Sequence, residues 1–142
     1  MQESRIAVAT VTIDAPREQV WKALVTSSQI KKYMFGTNVE SDFKPDSPIT
    51  WKGEWNGKHY EDKGRILDAR AGELLRYTHF SPLAGLPDKP ENYHIVTIEL
   101  GGEGSATRVT LSQDNNPSDQ ARQESEKNWT AMLNGLKRLL ET

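Results

Sequence analysis

No cysteine occurs among the 142 residues, which excludes disulfides, thiol nucleophiles and cysteine-ligated metals. Long apolar runs are missing too. No stretch approaches the roughly 20 residues of a membrane-spanning helix, and Met1-Gln2-Glu3-Ser4-Arg5 lacks the charged-then-apolar layout of a secretion signal. The expectation is a soluble, cytoplasmic protein without a membrane span. Charge of one sign is equally scarce. Eighteen basic and 20 acidic residues leave a net charge of −2, and the pair Lys31-Lys32 is too short for a patch. Nucleic acid is therefore not an expected partner. The three histidines, His59, His79 and His94, show no His-x-His or His-x-x-x-His spacing, so no metal and no cofactor is expected. Gly-rich phosphate loops, nucleophile elbows and HExxH motifs are also absent. Without repeats, low-complexity tracts or linkers, residues 1–142 read as one domain.

What is present is a ladder of strands between two helical signatures. Ile6, Val8, Val11 and Ile13 mark a first strand whose parity the sequence leaves open. Pro16 fits a first helical position, Glu18 suits the helix dipole, and Val20, Trp21, Leu24 and Val25 share one helical face. That helix is expected to stop near Thr26 to Ser28, with a short second turn over Gln29 to Tyr33. The middle then alternates. Val39, Ser41 and Phe43 share one parity, as do Ile49, Trp51, Gly53 and Trp55, and Asn56-Gly57 is the strongest hairpin signal. Tyr60, Asp62, Gly64 and Ile66 fall on one side of the next segment, and Leu75, Tyr77 and His79 on one side of its successor. His94, Val96, Ile98 and Leu100 align, as do Thr107, Val109, Leu111 and Gln113. This rhythm predicts one antiparallel sheet with a single buried face.

The chain ends in a long helix expected to start between Asn116 and Ala121. At ~100° per residue, Trp129, Met132, Leu133, Leu136, Leu139 and Leu140 fall within an arc of about 120°. Ala121 and Ser125 extend that stripe upstream with small side chains, so its upstream half is slim. A slim helix face over a curved sheet leaves room for a cavity. A hydrophobic fraction of 35%, low for a tightly filled globule, agrees with that.

These pieces together resemble the START-like (SRPBCC) superfamily, and are most similar to the family named for the activator of the heat-shock chaperone ATPase. The resemblance rests on Ala15-Pro16-Arg17-Glu18-Gln19-Val20-Trp21, on Gly64-Arg65-Ile66, on Leu75-Arg76-Tyr77-Thr78-His79, and on Trp129 to Lys137, which follows Trp-x-x-Met-Leu-x-x-Leu-Lys. It covers essentially the whole chain. One departure is His79, where the family more often carries tryptophan. The resemblance implies an α+β helix-grip fold: a curved seven-stranded antiparallel sheet wrapped around a long C-terminal helix, with two small helices after the first strand. It also implies a cavity between helix and sheet that holds apolar or amphipathic small molecules in relatives. Members range from ligand carriers to cyclases and chaperone-activating modules, so no single activity follows. The eukaryotic activators carry an additional N-terminal domain, and none is expected here.

Parity nominates the cavity lining. From the sheet come Trp51, Tyr60, Asp62, Tyr77, His79, His94, Val96 and Ile98, and from the helix Trp129, Met132 and Leu133. Aromatic bodies such as Trp51, Trp55, Tyr77 and Trp129 suit ligand contact as well as core packing, whereas Trp21 is assigned to core. His79 or His94 near Asp62 has the side chains for general acid/base work, and a histidine satisfied by a hydroxyl or backbone group is the plainer alternative. Asp62 requires a partner if buried, or else lies near the sheet edge in water. Met34, Phe35, Leu83 and Leu86 are candidate portal residues, the last two within the Pro-rich loop Ser81 to Pro90. The expected function is binding of a small apolar or amphipathic molecule by a monomer or weak homodimer. Its alternatives are a cyclase or hydrolase using a cavity histidine, and a module that contacts a chaperone.

Overall fold

Alternation of β-branched and aromatic residues with polar ones dominates the chain up to Asn116, and it resolves into seven strands. The computed structural model describes residues 5–34, 36–55, 57–81 and 85–141. Phe35, Asn56 and Leu83, named above, lie outside the described residues, as does the side chain of Trp55. The strands are β1 (Arg5–Ile13), β2 (Asn38–Ser41), β3 (Pro48–Trp55), β4 (Lys58–Arg70), β5 (Leu74–His79), β6 (His94–Glu103) and β7 (Ala106–Asn116). They form one antiparallel sheet in the order β1-β7-β6-β5-β4-β3-β2. Six strands meander in chain order, and β1 closes the far side against β7. The curved sheet holds helix α3 (Asp119–Glu141), while α1 (Arg17–Leu24) and α2 (Ser27–Tyr33) follow β1. This is the expected α+β helix-grip architecture.

The parity of β1 is settled by its pairing. Opposite β7 (Ala9↔Leu111, Val11↔Val109, Ile13↔Thr107), Ala7, Ala9 and Ile13 are buried, while Ile6 and Val8 stay exposed. Two helix boundaries shift slightly from expectation. Pro16 sits one position before α1 in an extended conformation, and its carbonyl accepts the first helical bonds from Gln19 and Val20 at 3.0 and 3.1 Å. Lacking an N–H, it loses nothing there. Helix α2 begins at Ser27, ahead of the expected Gln29, because the Thr26 carbonyl accepts bonds from both Gln29 and Ile30.

Ser118 starts α3: its Oγ accepts the Ala121 N–H at 3.1 Å, an N-cap that satisfies a donor the helix leaves open. Met132, Leu133 and Leu136 are then buried against Ile13, Ile66, Val96, Val109 and Leu111 of the sheet core. The exposed edge of β1 is also covered by this helix. The Val8 N–H donates to Glu126, the Asp14 N–H to Glu141, and Lys137 donates to the Thr12 carbonyl. Such side-chain capping blocks edge-to-edge pairing.

One glycine controls the sheet near the site. In β4, a Cβ at Gly64 would land on the Thr78 carbonyl of β5. A bare glycine lets the two backbones approach, and the register shifts two residues later, between Ile66 and Asp68.

Candidate pocket between the sheet and the long helix

Cross-strand register assembles the site from three adjacent strands. Trp51 of β3 pairs with Asp62 of β4, Gly53 with Tyr60, and on β5 the alternation places Tyr77 and His79 on the same face. Gly53 lets Tyr60 lie over it, because a Cβ there would meet the Tyr60 hydroxyl at about 2.5 Å and push the side chain aside. Held over that glycine, Tyr60 reaches across to Thr37, with hydroxyl oxygens 2.7 Å apart.

The imidazole of His79 lies edge-on to Trp51, with centroids 4.9 Å apart and planes at 69°. Trp51 also meets Tyr77 at 5.2 Å, so the three rings form one wall. His79 Nε2 lies 2.9 Å from Asp62 Oδ2. A carboxylate only accepts, so Nε2 carries the proton in this pair, and in a neutral imidazole Nδ1 is left as an acceptor. Only 16% of the Asp62 side chain and 27% of the His79 side chain are exposed. The second carboxylate oxygen, Oδ1, is buried and has no hydrogen-bond partner among the described residues. Asp62 therefore has the partner that burial demands for one oxygen and lacks one for the other.

The helix supplies the opposite wall. Trp129 Nε1 donates to Gln113 Oε1 at 2.5 Å, and Asn116 Nδ2 donates to the Gln113 carbonyl at 3.0 Å. Ser125 Oγ in turn donates to Asn116 Oδ1 at 2.9 Å. This chain from β7 fixes the indole, which packs partly buried against the core. Deeper in, Tyr33 donates its hydroxyl to the Ala23 carbonyl at 2.9 Å. Burial pushes the phenols of both Tyr77 and Tyr33 well above the ordinary tyrosine value, and for Tyr33 the neighbouring Tyr77 adds to it.

Between these walls lies a pocket of about 570 Å³, lined by Met34, Thr37, Trp51, Glu54, Tyr60, Asp62, Tyr77, His79, Ser81 and Trp129. A smaller pocket of about 230 Å³ shares Met34 and Trp129 with it and continues to Ser125 and Met132. The slim upstream half of the helix stripe borders this second space.

Of the residues nominated by sequence, Trp51, Tyr60, Asp62, Tyr77, His79 and Trp129 converge on the main pocket, and Met34 joins them. Others do not line it. Val96, Ile98 and Leu133 are fully packed in the core, where Val96 pairs with Tyr77 and Ile98 with Leu75. Val96 and Ile98 share the inward parity but are buried, with Leu133, in the core cluster that also holds Trp51 and Tyr77. His94 stands behind His79, with ring centroids 6.3 Å apart, and its Nδ1–H donates to the Asp114 carbonyl at 2.9 Å. It is thus the histidine satisfied by a backbone group. Met132 borders only the smaller spaces. Leu86 is exposed and is not among the lining residues.

Thr37, Glu54 and Ser81 were missed. Ser81 continues the parity of Tyr77 and His79 and was legible on that ground. Thr37 lies in the connection from α2 to β2, where no periodicity operates, and Glu54 has the opposite parity from Trp51. The Pro-rich connection is tied down beside this end of the sheet: Lys63 pairs with Asp88, Tyr93 Oη donates to Asp88 at 2.6 Å, and Phe80 stacks on Tyr93. The Lys63 ammonium, together with the Tyr93 hydroxyl, holds the Asp88 carboxyl below its ordinary value. Among the described residues no group of three or more His, Asp or Glu forms a metal-ligand set, and no helix is long and apolar enough to cross a membrane.

Comparison with solved structures gives the same fold throughout. A solution structure of ChR145 from Cytophaga hutchinsonii is 53% identical, covers 99% of this chain and 97% of its own, and superposes with a TM-score of 0.87. The Aha1 dimer from Colwellia psychrerythraea is 19% identical over 96% of each chain, with a TM-score of 0.74. CalU16 from Micromonospora echinospora, also 19% identical, covers 98% of this chain and 87% of its own at 0.70. No curated protein matches the sequence. The family model described as Activator of Hsp90 ATPase homolog 1-like protein matches residues 14–141. With that match spanning nearly all of the helix-grip fold, the chain belongs to the Activator of Hsp90 ATPase homolog 1-like family.

Proposed function

We propose that this protein binds a small apolar or amphipathic molecule in the pocket between the sheet and α3. The observation that carries the reading is a space of about 570 Å³ walled by Trp51, Tyr77 and Trp129, with a hydrogen-bonded carboxylate–imidazole pair at one side. That volume falls in the range of small-molecule sites, and an aromatic lining with a few convergent polar groups is their usual chemistry. Burying ligand rings or hydrocarbon would supply roughly 25 cal/mol per Å² of apolar surface. Asp62, His79 and the Tyr60–Thr37 hydroxyl pair would orient the polar end. Native mass spectrometry of the purified protein tests this directly. A co-purifying compound lost on Trp129→Ala is expected. Failure of both native spectra and a neutral naphthalene probe to show occupancy, with the fold intact, refutes it.

An enzymatic reading has one observation in its favour. Asp62 fixes the His79 tautomer and leaves Nδ1 free to take a proton, which is the arrangement of a general base. Turnover of the bound compound, lost in His79→Gln, would distinguish it from a carrier. Self-association is supported by the dimer formed by the Colwellia relative, and light scattering across a concentration series tests it. A chaperone contact is supported by the family description alone and is tested by pull-down against the chaperone ATPase.

A further inference from the structure

The charge on the pocket lining is one-sided. Asp62 contributes a carboxylate, and among the described residues no lysine or arginine lines the space. The cations nearest in sequence are already engaged elsewhere: Lys63 with Asp88, and Lys52 within reach of Glu40 and Glu61. Among the described residues the Asp62 charge is met by one donor, His79 Nε2–H, and its Oδ1 has none. The remaining polar groups lean the same way. Nδ1 of a neutral His79 is an acceptor, and the Thr37 and Tyr60 hydroxyls are bonded to each other. The apolar walls are built from Trp51, Tyr60, Tyr77 and Trp129, and the face of an aromatic ring attracts positive charge.

We infer that the pocket selects organic cations: an ammonium or amidinium head beside Asp62 and His79, with an apolar or aromatic body between Trp51, Tyr77 and Trp129. The inference rests on the pocket being a small-molecule site. A carboxylate screened from bulk water attracts a cation more strongly than a surface carboxylate does. An anionic ligand would meet Asp62 without a compensating base and is disfavoured for the same reason.

Three probes with one ring body test it: naphthylmethylammonium, naphthylmethanol and naphthoate, titrated calorimetrically and by amide chemical shifts. The ammonium is expected to bind about tenfold more tightly than the alcohol, with naphthoate weakest. Asp62→Asn, which keeps the side-chain shape, is expected to bring the ammonium down to the affinity of the alcohol. Glu54 is exposed, so Glu54→Gln should fold normally and reduce the preference only slightly. Equal affinities, or a preference for naphthoate, overturn the cation inference and leave the pocket reading standing. An ammonium preference that survives Asp62→Asn overturns the role given to Asp62. Absence of binding by all three probes, in wild-type protein with an intact spectrum, overturns both readings.

Discussion

A double-mutant cycle on Asp62 and His79 gives the most direct view of the pocket. His79→Ala removes the one donor found among the described residues to a carboxylate whose side chain is 16% exposed, leaving both oxygens without partners among those residues. An unmet, mostly buried carboxylate costs about 2–3 kcal/mol. Asp62→Ala removes the carboxylate together with its orphaned Oδ1, so the loss of the bond is partly offset, and about 1 kcal/mol or less is expected. Both side chains border open pocket space, so truncation adds to an existing void and creates no sealed cavity. The double variant should therefore cost little more than Asp62→Ala alone, which gives a coupling of about 2 kcal/mol. Urea denaturation measures the four stabilities, and thermal melts should show the coupling as roughly 8 °C at about 4 °C per kcal/mol. Additivity within about 0.5 kcal/mol would mean the pair makes no net interaction in solution, and the orienting role assigned to it would fall.

Gly64→Ala should cost about 1–3 kcal/mol, since its Cβ meets backbone that has no rotamer with which to yield, and denaturant midpoints will show it. Trp129→Phe keeps an aromatic wall but strands the partly buried Gln113 Oε1, so a loss of about 1–2 kcal/mol and weaker binding of a neutral naphthalene probe are expected. The raised phenols of Tyr33 and Tyr77 make stability fall at alkaline pH. Below about pH 10 they are neutral in both the folded and unfolded chain. Above it the unfolded chain releases these protons while the folded chain keeps them, so each phenol contributes a decline of up to about 1.4 kcal/mol per pH unit. Denaturation between pH 9 and pH 11 should show a shallower decline in Tyr77→Phe, and an unchanged slope would contradict burial of that hydroxyl.

Much of the fold was legible because strand and helix periods write burial directly into the order of residues. The alternation of Leu75, Tyr77 and His79, and of Thr107, Val109, Leu111 and Gln113, marked the inward faces, and the stripe from Trp129 to Leu140 marked the helix face. The strand β1 did not declare its parity, since Ile6, Val8, Val11 and Ile13 place apolar residues on both sides. Only the register with β7 and the helix lying alongside chose Ala7, Ala9 and Ile13 as the buried set.

The pocket divides the same way. Sequence alone marked the inward side chains of strands such as β5 and β7, because parity is a property of a single strand. It had no means of ranking inward residues by depth. Val96 and Ile98 share parity with His94, yet they are buried in the core beside Tyr77 and Leu75, while Thr37 enters from a connection without periodicity. Depth, the 2.9 Å meeting of Asp62 with His79, and the unpartnered Oδ1 arise where three strands and a helix converge. Those are relations between residues far apart in the chain, set by register and curvature, and only the tertiary structure decides them.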